Sequence, residues 1–464
     1  MNQQLVHELD RTDVESYIIP GGIVYERFFD CPLDYSKPDS NETVRVFARH
    51  IVPLDKKDDM HKLPFMLYLQ GGPGFEVSFP GSVKGGWYKT AIDNGYQILL
   101  LDQRGTGFSS AISADSLDAK FSTTEEKVKY VAQFRADNIV RDSEHIRKIL
   151  CAGREDDTSK FALLGQSFGG FCITTYLSMF PEGISKAFIT GGVPPLVDSP
   201  DQVYQATYKR MIHRNKQYYG KYPRDIARIK QIMFYLNEHN VTLPDGGNLS
   251  PRRFQQLGIN FGFTGGFDSV HQLVVKATHD LDTVGVLTTS TLTAIANTQN
   301  FDSNPLYAIL HEAIYCQNGN PSQWSAHRVR ETQFAQEFAH TSSEISQKSE
   351  DEPVYLTGET VYPWMLDEFP ELRRLKEVGQ GLAEYRGWGQ LYDENALRKN
   401  TVPVAGVSYY NDMFVDFYLS EKTAQTVKGF HQWVTNEYHH NGLRADPRVM
   451  TYLVDLLRGD ITDL

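Results

Sequence analysis

Cysteine is scarce in this chain: four among 464 residues, Cys31, Cys151, Cys172 and Cys316, far apart and with no C-x-x-C pair. That excludes the dense disulfide framework of small secreted scaffolds, and reduced, packed thiols are expected instead. Long apolar runs are missing too. None approaches the roughly 20 residues that a membrane-spanning helix requires, and residues 1–10 have neither the basic stretch nor the apolar core of a secretory leader. An excess of positive charge is likewise absent. Lys and Arg number 46 against 58 Asp and Glu, and the formal net charge of -12 argues against nucleic acid or an anionic membrane as partner. No internal repeat, low-complexity tract or His/Cys cluster at metal-ligand spacing occurs, so no metal and no cofactor is expected. A cytoplasmic globular protein is the default reading.

What is present is a large core. Hydrophobic residues make up 41% of the chain, enough for one large domain or a core carrying an inserted one. Val44, Val46 and Ala48 alternate with polar Arg45 and Arg49 as in a half-buried strand, whereas 65–69 and 98–101 are continuous apolar runs suited to central parallel strands covered on both faces. Helical spacing over 137–150 and a strand pattern over 185–190 continue the alternation, which indicates an α/β, doubly wound, mostly parallel sheet. From about 194 to 400 the pattern changes to polar and aromatic stretches with helical periodicity, at 204–213 and 306–315. This reads as an inserted, mainly helical cap between the two parts of the core, 1–193 and 401–464. The core resumes with strands at 402–410 and 430–435, a helix at 420–427, and a last helix with Asp446 as N-cap, Pro447 at its first position and Gly459 past its end.

Chemistry enters at Gly165-Gln166-Ser167-Phe168-Gly169, directly after the apolar run 161–164 and before a helical pattern ended by Pro181. This is the nucleophile-elbow pattern: a strand turns sharply into a helix with serine at the apex, and flanking side chains larger than hydrogen would collide. A serine hydroxyl is a poor nucleophile at neutral pH and needs a base oriented by a carboxylate. The resumed core supplies both in the order acid, then histidine. Asp412 follows a strand end, with Asp416 as its rival; His440 precedes the turn-forming Asn441-Gly442, with His439 as its rival, and His431 lies within a strand. For the oxyanion, one backbone amide is that of Phe168, and the other is assigned to Gly72 in the Gly71-Gly72-Pro73-Gly74 loop.

Gly71-Gly72-Pro73-Gly74, the block from Asp102 to Ser109 and the block from Gly165 to Gly170 together resemble the prolyl aminopeptidase (proline iminopeptidase) family of α/β-hydrolase serine peptidases, in its longer, large-cap branch. The similarity extends to residues 409–413 and 437–444. Two positions depart from the family pattern: Gln70 stands where a histidine is usual, and His439 where a glutamate usually precedes the catalytic histidine, which aligns His440 with the base. The resemblance implies an α/β-hydrolase fold and removal of an N-terminal proline, or another small residue, from peptides with a free N-terminus. Such a substrate brings a cation into a partly desolvated pocket, which asks for carboxylates. The family uses cap glutamates, and Glu312 and Glu359 are the candidates, with Asp268 third; Phe267, Tyr315, Tyr362 and Trp364 are candidate pocket walls. A carboxylic-ester or amide hydrolase of the same fold, without peptide specificity, is the alternative.

Overall fold

Each apolar run in the first half forms a strand. β1 (Ser16–Ile19), β2 (Gly22–Pro32), β3 (Thr43–Pro53), β4 (Phe65–Leu69), β5 (Gln97–Asp102), β6 (Phe161–Gln166) and β7 (Ile184–Thr190) are joined, far along the chain, by β8 (Val404–Tyr409) and β9 (Phe430–Thr435). The computed structural model describes residues 15–461, so residues 1–10 and the reading made of them lie outside it. Within it the strands build a nine-stranded sheet in the order β1-β2-β3-β5-β4-β6-β7-β8-β9. The first pairings, including β3 with β5, are antiparallel and those from β5 through β9 are parallel.

The central strands are apolar throughout because they are buried on both sides. Leu67, Leu69, Leu99 and Leu101 pack into the core on one face, and Met66, Tyr68, Ile98 and Leu100 into the core on the other. Helices α1 (Ala136–Leu150) and α2 (Phe168–Met179) belong to the first part of the chain. Between β7 and β8 the chain runs through helices and turns and adds no strand to the sheet. Three of these helices matter below: α3 (Asp201–Lys221), α4 (Pro305–Ile309) and α5 (Ser325–Gln333). After β8 come α6 (Phe417–Thr426) and α7 (Arg448–Arg458). None of the described helices is long and apolar enough to cross a membrane, and all four cysteines are buried free thiols.

Two sequence readings need correction. The helix expected over 306–315 is broken: α4 ends at Ile309, Leu310 adopts φ -115° and ψ -3°, and a separate 3-10 turn covers Glu312–Tyr315. The break points the Glu312 carboxylate at the start of α5, where it accepts hydrogen bonds from the amides of Ser325 (3.0 Å) and Ala326 (2.9 Å). Those amides have no partner inside their own helix, so a contact made far along the chain outweighs local periodicity. The last helix starts one residue later than expected, with Pro447 at the N-cap position, while Asp446 still accepts from the Arg448 amide at 2.9 Å and Gly459 closes the helix at φ 79°.

The sheet order also places a crevice. β5 and β6 lie on opposite sides of β4, so the loops after β4 and β6 open where connections diverge, the position at which open α/β sheets bind their ligands. Behind that crevice Arg104 and Asp142 form a fully buried pair, with Nε donating to Oδ2 at 2.7 Å; the guanidinium also donates to the carbonyls of Leu33 and Gln133, both at 2.9 Å. Replacing Arg104 with Met leaves the Asp142 carboxylate buried without its cation, and a loss of about 3–5 kcal/mol of stability is expected. Urea unfolding measures it; a loss near zero contradicts the assignment of this pair as a structural tie.

Candidate active site

Ser167 sits at the junction of β6 and α2 with φ 55° and ψ -124°, a backbone conformation that L-residues rarely adopt. The neighbouring glycines permit it. A Cβ on Gly165 would lie 2.5 Å from the Gly169 carbonyl, one on Gly169 would lie 1.9 Å from the Leu69 oxygen, and one on Gly192 would lie 2.0 Å from the Ser167 oxygen. The turn is tied at both ends, the Ser167 amide donating to the Thr190 carbonyl at 3.0 Å and the Gly170 amide to the Ser167 carbonyl at 2.8 Å. Phe168 is the first helical residue, where an amide has no intrahelical acceptor. The close passage at Gly192 escaped the sequence reading, although the Gly191-Gly192 pair straight after a strand is its trace.

The structure brings Ser167, Asp412 and His440 together across 273 residues of chain. His440 Nε2 lies 2.8 Å from Ser167 Oγ, and Nδ1 lies 2.7 Å from Asp412 Oδ2. The other Asp412 oxygen accepts from the amides of Phe414 (2.8 Å) and Val415 (3.2 Å), so the carboxylate is fixed as an acceptor. An acceptor at Nδ1 puts the imidazole proton there and leaves Nε2 free to take the serine proton. The Phe414 ring meets the imidazole edge to face at 4.7 Å, a contact the sequence did not announce. Burial disfavours the imidazolium of His440, but the charge and hydrogen bond of Asp412, and then the charge of Glu359, outweigh it and hold its pKa above the ordinary histidine value.

The rivals have other duties. Asp416 caps α6 by accepting from the amides of Tyr418 and Leu419 and pairs with Arg210. His439 is half-buried and turns the chain, its carbonyl accepting from the Gly442 amide at 2.9 Å. His431 is exposed on β9.

The loop after β4 runs beside the nucleophile. A Cβ on Gly71 would lie 3.0 Å from that of Ser167; Gly72 has φ 130°, and a Cβ on Gly74 would lie 2.7 Å from the Tyr307 amide nitrogen of α4. Gln70 is braced on several sides. Its side-chain oxygen accepts from Tyr68 Oη (2.8 Å) and Arg444 Nη2 (2.9 Å), and its backbone carbonyl accepts from Gln103 Nε2 (3.0 Å). The Gln70 side-chain amide thereby links the loop to the segment that carries His440.

The cap carboxylates separate into three situations. Glu359 accepts a 2.6 Å hydrogen bond from Tyr307 Oη, its second oxygen lies 3.9 Å from His311 Nε2, and its charge reaches His440. Glu312 is engaged by the start of α5; burial pushes its carboxyl up to about 7 against the pull of those amides. Both carboxylates act on the buried Tyr204 and Tyr315, and Tyr204 Oη is without a hydrogen-bond partner. Asp268 is exposed on the surface, held by Lys221 and Tyr222, and Phe267 packs on Phe261 and Tyr218. Tyr362 and Trp364 stack on each other at 5.4 Å, with Tyr362 bonded to Tyr208 and Trp364 under Arg252.

A mostly parallel sheet with an elbow serine, an acid after β8 and a histidine after β9 defines an α/β hydrolase, and the family model described as alpha/beta hydrolase fold matches residues 64–272. Among curated proteins, the proline iminopeptidase of Aeromonas sobria is 40% identical over 95% of this chain and 98% of its own. Proline iminopeptidase aneH of Aspergillus aculeatus is 40% identical over 90% of this chain and 89% of its own. The chain belongs to the proline iminopeptidase family.

Neutral imidazole is the form that can accept the Ser167 proton, so activity should rise as pH climbs through the His440 pKa. Because the Glu359 charge raises that pKa, Glu359→Gln should lower it and keep His440 neutral to a lower pH. Titration of the His440 imidazole by NMR, with the acidic limb of kcat/KM, reads the shift; a midpoint that stays put or moves upward contradicts the contact.

Proposed function

We propose that this protein is a serine exopeptidase that releases an N-terminal proline, or another small N-terminal residue, from peptides. One observation carries the reading: a hydrogen-bonded serine, histidine and aspartate lie buried beneath a helical insertion whose own carboxylate, Glu359, acts on the histidine. Ser167 is only 8% exposed, a setting that suits the end of a chain better than its middle. We take 194–400 as the cap and 1–193 with 401–464 as the core, a division supported by the lack of sheet strands between β7 and β8.

His440, oriented by Asp412, removes the proton from Ser167 as its oxygen attacks the carbonyl of the N-terminal residue. The amides of Phe168 and Gly72 receive the oxyanion, with Gly71 adjoining the serine. The C–N bond breaks, the shortened peptide leaves with the proton from His440, and water then releases the acyl residue by the reverse roles. Glu359 is the foremost partner for the substrate ammonium because one of its oxygens is committed to Tyr307 while the other faces His311. Glu312, whose carboxyl is pushed up to about 7, also acts on Tyr204 and Tyr315 once it ionises. A cytoplasmic location belongs to the same reading and is supported by the four free, buried thiols.

A hydrolysis profile over aminoacyl-naphthylamides tests the assignment. Prolyl-naphthylamide should be cleaved well ahead of derivatives of bulky residues, and Ser167→Ala should lose about 10⁴-fold or more of the activity. Glu359→Gln and Glu312→Gln should lose far more on proline amides than on neutral esters. Equal rates for proline and bulky residues would remove the prolyl assignment; equal losses on amides and esters would favour a hydrolase without an amine clamp.

A further inference from the structure

Arg214, on α3 of the insertion, is 6% exposed and forms no ion pair among the described residues. A guanidinium buried without a carboxylate is costly unless its hydrogen bonds are fully used. Here two of them converge on one acceptor: Nε and Nη2 donate to the Phe261 carbonyl at 3.1 and 2.8 Å, while Nη1 donates to Gln217 at 2.6 Å and the Phe267 ring lies 4.2 Å from the guanidinium carbon. The next carbonyl along the chain, that of Gly262, accepts the backbone N–H of His440 at 3.1 Å. Two residues further, the amide and hydroxyl of Thr264 both donate to the Asn441 side chain at 3.1 Å. Phe414 meets the imidazole edge to face, and its ring passes so close to Gly262 that a Cβ there would lie 2.2 Å from it.

We propose that Arg214 is a positioning residue for the catalytic base: by fixing the Phe261–Gly262 peptide it holds the His440 backbone, and so the imidazole, at the distance from Ser167 that proton transfer needs. The insertion then does more than shape the substrate pocket, since it supplies one wall of the socket in which His440 sits. The proposal rests on the Ser167–His440–Asp412 reading given above.

The test compares Arg214→Ala and Arg214→Lys with the parent enzyme in the full chain, using prolyl-naphthylamide. A lost support far from the reacting atoms can cost up to roughly 10²-fold through misplacement of about an ångström. Arg214→Ala should lower kcat by about tenfold or more while KM stays within about twofold. Organophosphonate labelling of Ser167 should slow in the same proportion, because it depends on the same base. Lysine at 214, or guanidinium added to Arg214→Ala at sub-denaturing concentration, should restore part of kcat. An unchanged kcat in a folded variant, a loss carried by KM alone, or no recovery with either cation overturns the proposal. If Arg214→Ala does not fold, Arg214→Lys decides: its circular dichroism should match the parent and its kcat should fall, and a parental kcat overturns the proposal. Ser167→Ala separates the two levels. Retained prolyl activity there removes the triad reading itself, whereas an inactive Ser167→Ala beside fully active Arg214 variants removes only the role of Arg214.

Discussion

Backbone passing against backbone around Ser167 is the constraint on which the rest of this molecule depends. At Gly165, Gly169 and Gly192 the absent side chains would fall between 1.9 and 2.5 Å from neighbouring main-chain atoms. Nothing larger than hydrogen fits, and that closeness lets the chain leave β6 through a serine at φ 55° and enter α2 within one residue. The strain is local and the surroundings over-determine it, with hydrogen bonds on each side of the turn and strands packed on both faces. Once the serine is presented in this way, the loops after β4, β8 and β9 have a fixed point to converge on.

The segment between β7 and β8 touches those loops directly. At one place α4 lies against the Gly71–Gly74 loop, with Phe75 and Tyr307 meeting edge to face at 4.8 Å, and Tyr307 passes the contact on to Glu359. At another, residues 261–264 hold His440 and Asn441. Arg210, one helical turn before Arg214, reaches Asp416 at the start of α6. The loops after β4, β8 and β9 therefore each meet a side chain or peptide from the segment between β7 and β8.

Features set by short-range rules were legible in the sequence. The elbow was readable because its steric demand is written within five residues, and Asp412 and His440, which fold into hydrogen-bonding reach of it, because each follows a strand that ends in a recognisable turn. Continuous apolar runs gave β4, β5 and β6, since only strands covered on both faces tolerate them. What escaped detection was set by partners distant in the chain. Glu312 was read on a continuous helix, and its real position depends on amides at Ser325 and Ala326 that no local pattern reveals. The sequence analysis did not single out Arg214, whose partner is a carbonyl 47 residues away. Phe414 also went unremarked, because ring geometry against an imidazole exists only after folding.

The meeting of Gly74 with the Tyr307 amide has a consequence for how this chain can vary. Main chain rests on main chain there, so the fit is independent of which side chains the insertion carries but intolerant of any shift in its path. Pocket residues can be exchanged one at a time over a constant frame, while transplanting a whole insertion from a relative would succeed only if its backbone arrives at the same spot.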